Sequence, residues 1–130
     1  MDSATRDAVF ARADFRCEYC RVESVLFPDV RFHVEHVIPR QHRGDDSLEN
    51  LAMACFQCNL HKGPNLAGID PVTGELTPLF HPRKDDWAFH FAVRGSHIVG
   101  LTAVGRTTVE VLAMNSRTRM RLRRELNSDE

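Results

Sequence analysis

The sequence predicts a small α+β domain, a ββα unit extended by a β-hairpin and helices. Three observations predict it. The four cysteines fall into two pairs, Cys17-x-x-Cys20 and Cys55-x-x-Cys58. Between the pairs, Val30-Arg31-Phe32-His33-Val34-Glu35-His36 alternates apolar and polar residues until Pro39 stops it, and Leu51-Ala52-Met53-Ala54 can return as a second strand. After the last cysteine, Asn59-Leu60-His61-Lys62 favours a short helix that Gly63-Pro64 should end, because proline disfavours helical geometry in the residue before it.

The remaining elements follow in order. Thr5 to Asp14 carries Ala8, Val9, Ala11 and Ala13 among charged residues, with Asp2 or Ser3 as cap, and reads as a helix leading into the first knuckle. Gln41 to Ser47 is polar and contains Gly44, as a turn between two strands requires. Gly68 to Pro82, with three prolines and two glycines, reads as ordered loop. Trp87, Phe89, Phe91 and Val93 recur at period two and predict a strand of half-buried core aromatics. Arg94-Gly95-Ser96 turns it, and His97 to Leu101 returns. Thr102 caps a helix to about Met114, and Ser116 caps another to about Leu126. There is no internal repeat and no linker that demands a second domain. The expectation is one domain over 1–130, with its core motif at about 17–66 and an extension at about 67–130.

Composition excludes little. With 42 % hydrophobic and 27 % charged residues and a net charge of −1, the chain is ordinary for a soluble globular protein. No apolar run approaches the roughly 18 residues of a membrane span, so no membrane partner is expected. The N-terminal residues show neither a basic leader nor an apolar core. Four cysteines could pair as disulfides, but their metal-type spacing without an export signal favours thiolates in a reducing cytoplasm.

Two C-x-x-C knuckles supply the four soft thiolates that tetrahedral zinc prefers. Four thiolates close every coordination position, so that zinc would be structural: Cys17, Cys20, Cys55 and Cys58 would tie the entry of the ββα unit to the start of its helix. The residues between and just beyond them suit hydrolysis of a phosphodiester. His36 has the right intrinsic basicity to take a proton from water. Glu35 offers a hard oxygen to Mg²⁺ or Mn²⁺, and Asn59 offers a carbonyl oxygen from the helix.

Taken together, Cys17-x-x-Cys20, Glu35-His36-x-x-Pro39, Asn50-Leu51 and Cys55-x-x-Cys58-Asn59-x-x-Lys62 resemble the HNH nucleases in their four-cysteine form. The resemblance covers about residues 17–63. It implies a zinc-stabilised ββα-metal core and a metal-dependent endonuclease acting on DNA, with RNA left open. By that resemblance Glu35 and Asn59 hold the catalytic divalent ion and His36 is the general base. Asn50 is implied to pin the loop that carries the histidine. The chain departs from many members in having Glu rather than Asp before the histidine.

Lys62, three positions after Asn59, lies on the same helical face and could approach a phosphate. Residues 117–124 are the densest basic stretch, and Arg117, Arg121 and Arg124 share one helical face that could track a nucleic-acid backbone. A solvated face is the alternative for that run. His33 could add a ligand or serve as a hydrogen-bonded structural histidine. Two other functions fit the zinc knuckles: a nucleic-acid-binding module without catalysis, and a structural or partner-binding zinc domain. Target sequence, pathway and oligomeric state are not written in the chain.

Overall fold

The computed structural model describes residues 1–128, and it divides into two compact units. The first comprises Met1–Leu66 with His81–Asp85, the second Ala67–Phe80 with the described residues from Asp86.

The first unit opens with helix α1 (Ser3–Arg12), whose Asp2 cap accepts a hydrogen bond from the Thr5 amide at 2.7 Å. That bond satisfies one of the donors a helix leaves unpaired at its start. Strand β1 (His33–His36) pairs antiparallel with β2 (Leu51–Ala54), with Glu35 opposite Ala52 and His36 opposite Leu51. Helix α2 (Phe56–Lys62) follows, started by Cys55 and ended at Gly63. This is the expected ββα order. The helix begins three residues earlier than the residue pattern suggested, because the Cys55 sulfur itself caps it by accepting from the Cys58 amide at 3.4 Å. The strand is shorter than the alternating run, starting at His33 rather than Val30. Val9, Tyr19, Phe32, Leu51 and Met53 fill the core of this unit.

The second unit holds two hairpins and three helices. Strands β3 (Ala67–Ile69) and β4 (Leu76–Pro78) pair antiparallel where a loop was expected. The Asp70 side chain builds their turn, accepting from the Val72 amide at 3.1 Å and the Thr73 hydroxyl at 3.0 Å. Trp87 to His90 forms a short helix, α3, rather than the first half of a strand. Strand β5 (Phe91–Arg94) then pairs with β6 (His97–Gly100) across Gly95-Ser96. Helix α4 (Ala103–Val111) is capped by Thr102, which accepts from the Gly105 amide at 3.0 Å. It passes so close to α3 that a Cβ on Gly105 would lie 2.1 Å from the His90 carbonyl oxygen. Helix α5 (Arg117–Ser128) follows Ser116. Phe80, Phe91, Ile98, Leu112 and Met114 form this core, with the Phe80 and Phe91 rings edge to face at 5.2 Å. Among the described residues, no helix is long and apolar enough to cross a membrane.

Candidate active site

The loop between β1 and β2 is held by one side chain. Asn50, buried at the end of a turn of 3₁₀ helix, accepts from the Ile38 amide at 2.9 Å through Oδ1. Its Nδ2 donates to the Ile38 carbonyl at 2.9 Å and to the Asp45 carbonyl at 2.8 Å. Gly44 closes the same loop, its amide donating to the Pro39 carbonyl at 3.0 Å. A Cβ there would sit 1.6 Å from the Ile38 oxygen, so no larger residue fits without moving the loop.

These bonds present His36 at the strand end. Side chains alternate across a strand, so His36 and Val34 point one way and Glu35 and His33 the other. His36 Nε2 lies 2.7 Å from Asp46 Oδ1, and Arg40 donates to the same oxygen from Nη2 at 2.9 Å and Nε at 3.3 Å. An open cleft of about 600 Å³ borders Glu35, His36, Arg40, Gln41 and Asn59. Strand and helix thus bring His36 and Asn59 to one cavity.

Glu35 is buried and already partnered. Its carboxylate accepts a hydrogen bond from the Tyr19 hydroxyl and pairs with Lys62 Nζ at 3.3 Å. Burial raises its pKa above the ordinary carboxylate value, and the Lys62 charge works against that rise. Burial likewise pushes the Tyr19 phenol well up. Lys62, expected at a phosphate, is instead enclosed, and its Nζ also donates to the Val37 carbonyl at 2.9 Å. The flexible four-carbon stem lets a residue on Asn59's side of α2 fold back beneath the strand.

The four cysteines converge. All are buried and none is in a disulfide, and their sulfurs lie within 4.8 Å of one another. Cys20 and Cys55 sulfurs are 3.7 Å apart. A tetrahedral ion with bonds of about 2.3 Å to sulfur sets its ligands about 3.8 Å apart, so the cluster has the size of a zinc site. Each knuckle turns an amide toward its own first sulfur, Cys20 to Cys17 at 3.5 Å and Cys58 to Cys55 at 3.4 Å. Burial raises the Cys17 and Cys58 thiols, while a hydrogen bond from Cys17 lowers Cys55. Among the described residues, this is the one group of three or more Cys, His, Asp or Glu side chains arranged to hold an ion.

Residues 17–65 match the HNH endonuclease family model. The HNH segment therefore covers both knuckles, the β1–β2 hairpin and α2. No curated protein and no solved structure matches the chain.

Several residues of the HNH segment's surroundings escaped sequence reasoning. Glu18, inside the first knuckle, accepts from the Met53 amide at 2.8 Å and pairs with Arg83, which fastens the knuckle to β2. Tyr19 contacts Glu35 from the same knuckle. Asp46 and Arg40 face His36, and nothing in the polar run Gln41 to Ser47 separates Asp46 from Asp45. His33 is half-buried, and burial lowers its pKa, helped by the nearby Arg31 and Arg6 charges. On α5, Arg117, Arg121 and Arg124 are exposed. Their neighbours are not: Arg119 donates to the Leu112 carbonyl and Arg123 to the Ser96 carbonyl, each at 2.7 Å.

Proposed function

We propose that this chain is a metal-dependent endonuclease that hydrolyses phosphodiester bonds in DNA, with His36 as the general base. The observation that carries this reading is the meeting of His36 and Asn59 at one open cleft, well separated in chemistry from the closed sulfur cluster. A structural zinc needs no opening, whereas a nuclease needs a base and oxygen donors where a phosphate can reach them.

The donor set around the cleft suits a hard divalent ion. Asn59 offers an amide oxygen at the cleft, and Glu35 beside it would add a carboxylate once freed from Tyr19 and Lys62; these are the ligand types that Mg²⁺ and Mn²⁺ prefer, and the four thiolates suit zinc. Glu35 already balances the buried Lys62 ammonium, so a divalent ion held by Glu35 would have to take the place of that charge. When bound, such an ion neutralises charge at the phosphate and on the departing oxygen. His36 takes the proton from the attacking water. Asn50 keeps the β1 end in register with the loop beneath it, which fixes where the imidazole stands. Zinc held by Cys17, Cys20, Cys55 and Cys58 fits a reducing, cytoplasmic setting.

One observation favours the alternative, a zinc-knuckle module that binds nucleic acid without cutting it. The Tyr19–Glu35–Lys62 network satisfies the junction of strand and helix by protein groups alone. Relaxation of supercoiled plasmid in Mg²⁺, Mn²⁺ or EDTA separates the two. The nuclease reading predicts metal-dependent nicking by the wild type, and DNA binding with no nicking in any metal would leave the binding module.

A further inference from the structure

We propose that Asp46, steadied by Arg40, is the positioning residue of His36: it fixes the imidazole as the Nε2–H tautomer and leaves Nδ1 as the proton acceptor. This rests on the nuclease reading for its consequence, and on geometry alone for the coupling. An ionised carboxylate can only accept hydrogen bonds. With Asp46 Oδ1 at 2.7 Å from His36 Nε2, that nitrogen carries the hydrogen. A neutral imidazole has one N–H, so the lone pair available to a water is on Nδ1.

Asp46 is held in place from two directions. Arg40 puts Nη2 and Nε on the same carboxylate oxygen that His36 uses. The preceding residue, Asp45, gives its carbonyl to Asn50 and its side chain to the Ser47 amide and hydroxyl. Asn50 also grips Ile38, two residues past His36. One buried amide therefore sets the spacing between the histidine and its acid. Hydrogen bonds from His36 and then Arg40 hold the Asp46 carboxyl below the ordinary carboxylate range, which keeps it an acceptor at neutral pH.

The acid is largely exposed, with 62 % of its side chain accessible against 20 % for His36. Water screens a charge in that position, so its effect is on which nitrogen is protonated and where the ring points. A base oriented by a third group is the arrangement general-base chemistry uses. Removing the orienter should cost less than removing the base.

The test uses the full zinc-loaded chain and two readouts. Ring ¹⁵N NMR of neutral His36 should show a protonated Nε2 and an unprotonated Nδ1 in the wild type, and an averaged mixture in Asp46→Ala. In plasmid nicking, Asp46→Ala should lower kcat about tenfold, below the range expected for loss of the base itself, with KM unchanged. A wild-type ring that is protonated on Nδ1 or already mixed overturns the proposal, as do ring nitrogens unmoved by Asp46→Ala. If the tautomer shifts as expected and neither protein cleaves DNA, the coupling stands and the nuclease reading falls.

Discussion

Lys62 Nζ sits 3.3 Å from Glu35 Oε2 and donates to the Val37 carbonyl, so one buried ammonium joins helix α2 to the end of the strand carrying His36. Both side chains are nearly inaccessible. Removing one partner leaves a buried charge without its counterion. Lys62→Ala should therefore destabilise the fold by about 3–5 kcal/mol, while the double replacement Glu35→Gln with Lys62→Met should cost much less. Urea unfolding of the two variants measures the difference. Equal losses would mean the pair is not coupled.

The cysteine cluster predicts one tightly held zinc per chain. Replacing any one of Cys17, Cys20, Cys55 or Cys58 with serine opens a closed tetrahedral site and should unfold the HNH segment as well as release the ion. Elemental analysis and circular dichroism after chelation read both effects. Metal-free protein with an unchanged fold would contradict it.

Asp70 gives the second unit a defined acid sensitivity. Bidentate hydrogen bonds from Arg106, at 2.8 and 3.0 Å, hold its carboxyl far below the ordinary value of 3.8. A carboxyl depressed in the folded state contributes stability that is complete above its unfolded pKa and is lost as pH falls through the folded one. Stability attributable to this pair should thus be flat from neutral pH to about pH 4 and decline in stronger acid. Asp70→Asn should be less stable than wild type at pH 7 and should lose that part of the acid dependence. Parallel thermal melts from pH 7 to pH 2 decide it.

Arg117, Arg121 and Arg124 are exposed on α5 while Arg119 and Arg123 are spent on backbone carbonyls. Replacing the three exposed arginines should flatten the dependence of log DNA affinity on log salt by up to about 0.9 per lost phosphate contact. Their loss should leave stability nearly unchanged, whereas Arg119→Ala should lower it. A salt slope equal to wild type would make the exposed row a solvated face.

The ββα order and the cysteine cluster were legible because fixed spacings force them: a knuckle is a local turn, and a strand that meets Pro39 must stop. The direction of each side chain was harder to read. Period two already sets Glu35 on the opposite side of β1 from His36, yet a list of ligand types does not reveal which side is solvent. Lys62 shares a helix side with Asn59 in projection, but its long stem carries the charge elsewhere. Asp46 could not be distinguished because adjacent aspartates in a polar loop carry no periodicity. In the second unit, Trp87 and Phe91 misled for a simple reason. Four residues is two strand repeats and also about one helical turn, and the two rings do meet, with centroids 5.1 Å apart. Only Phe89, 66 % exposed, betrays the helix. The β3–β4 hairpin hid behind its prolines and glycines, since Asp70's side chain, rather than an apolar pattern, organises its turn.

The role of His36 as general base is read from the single-turnover rate of DNA cleavage by His36→Ala beside wild type, at saturating Mg²⁺ and with DNA affinity measured in the same samples. A general base acts in the transition state, so the rate should fall on the order of 100-fold or more while affinity and zinc content stay the same. Cleavage by His36→Ala at the wild-type rate would remove His36 as the base.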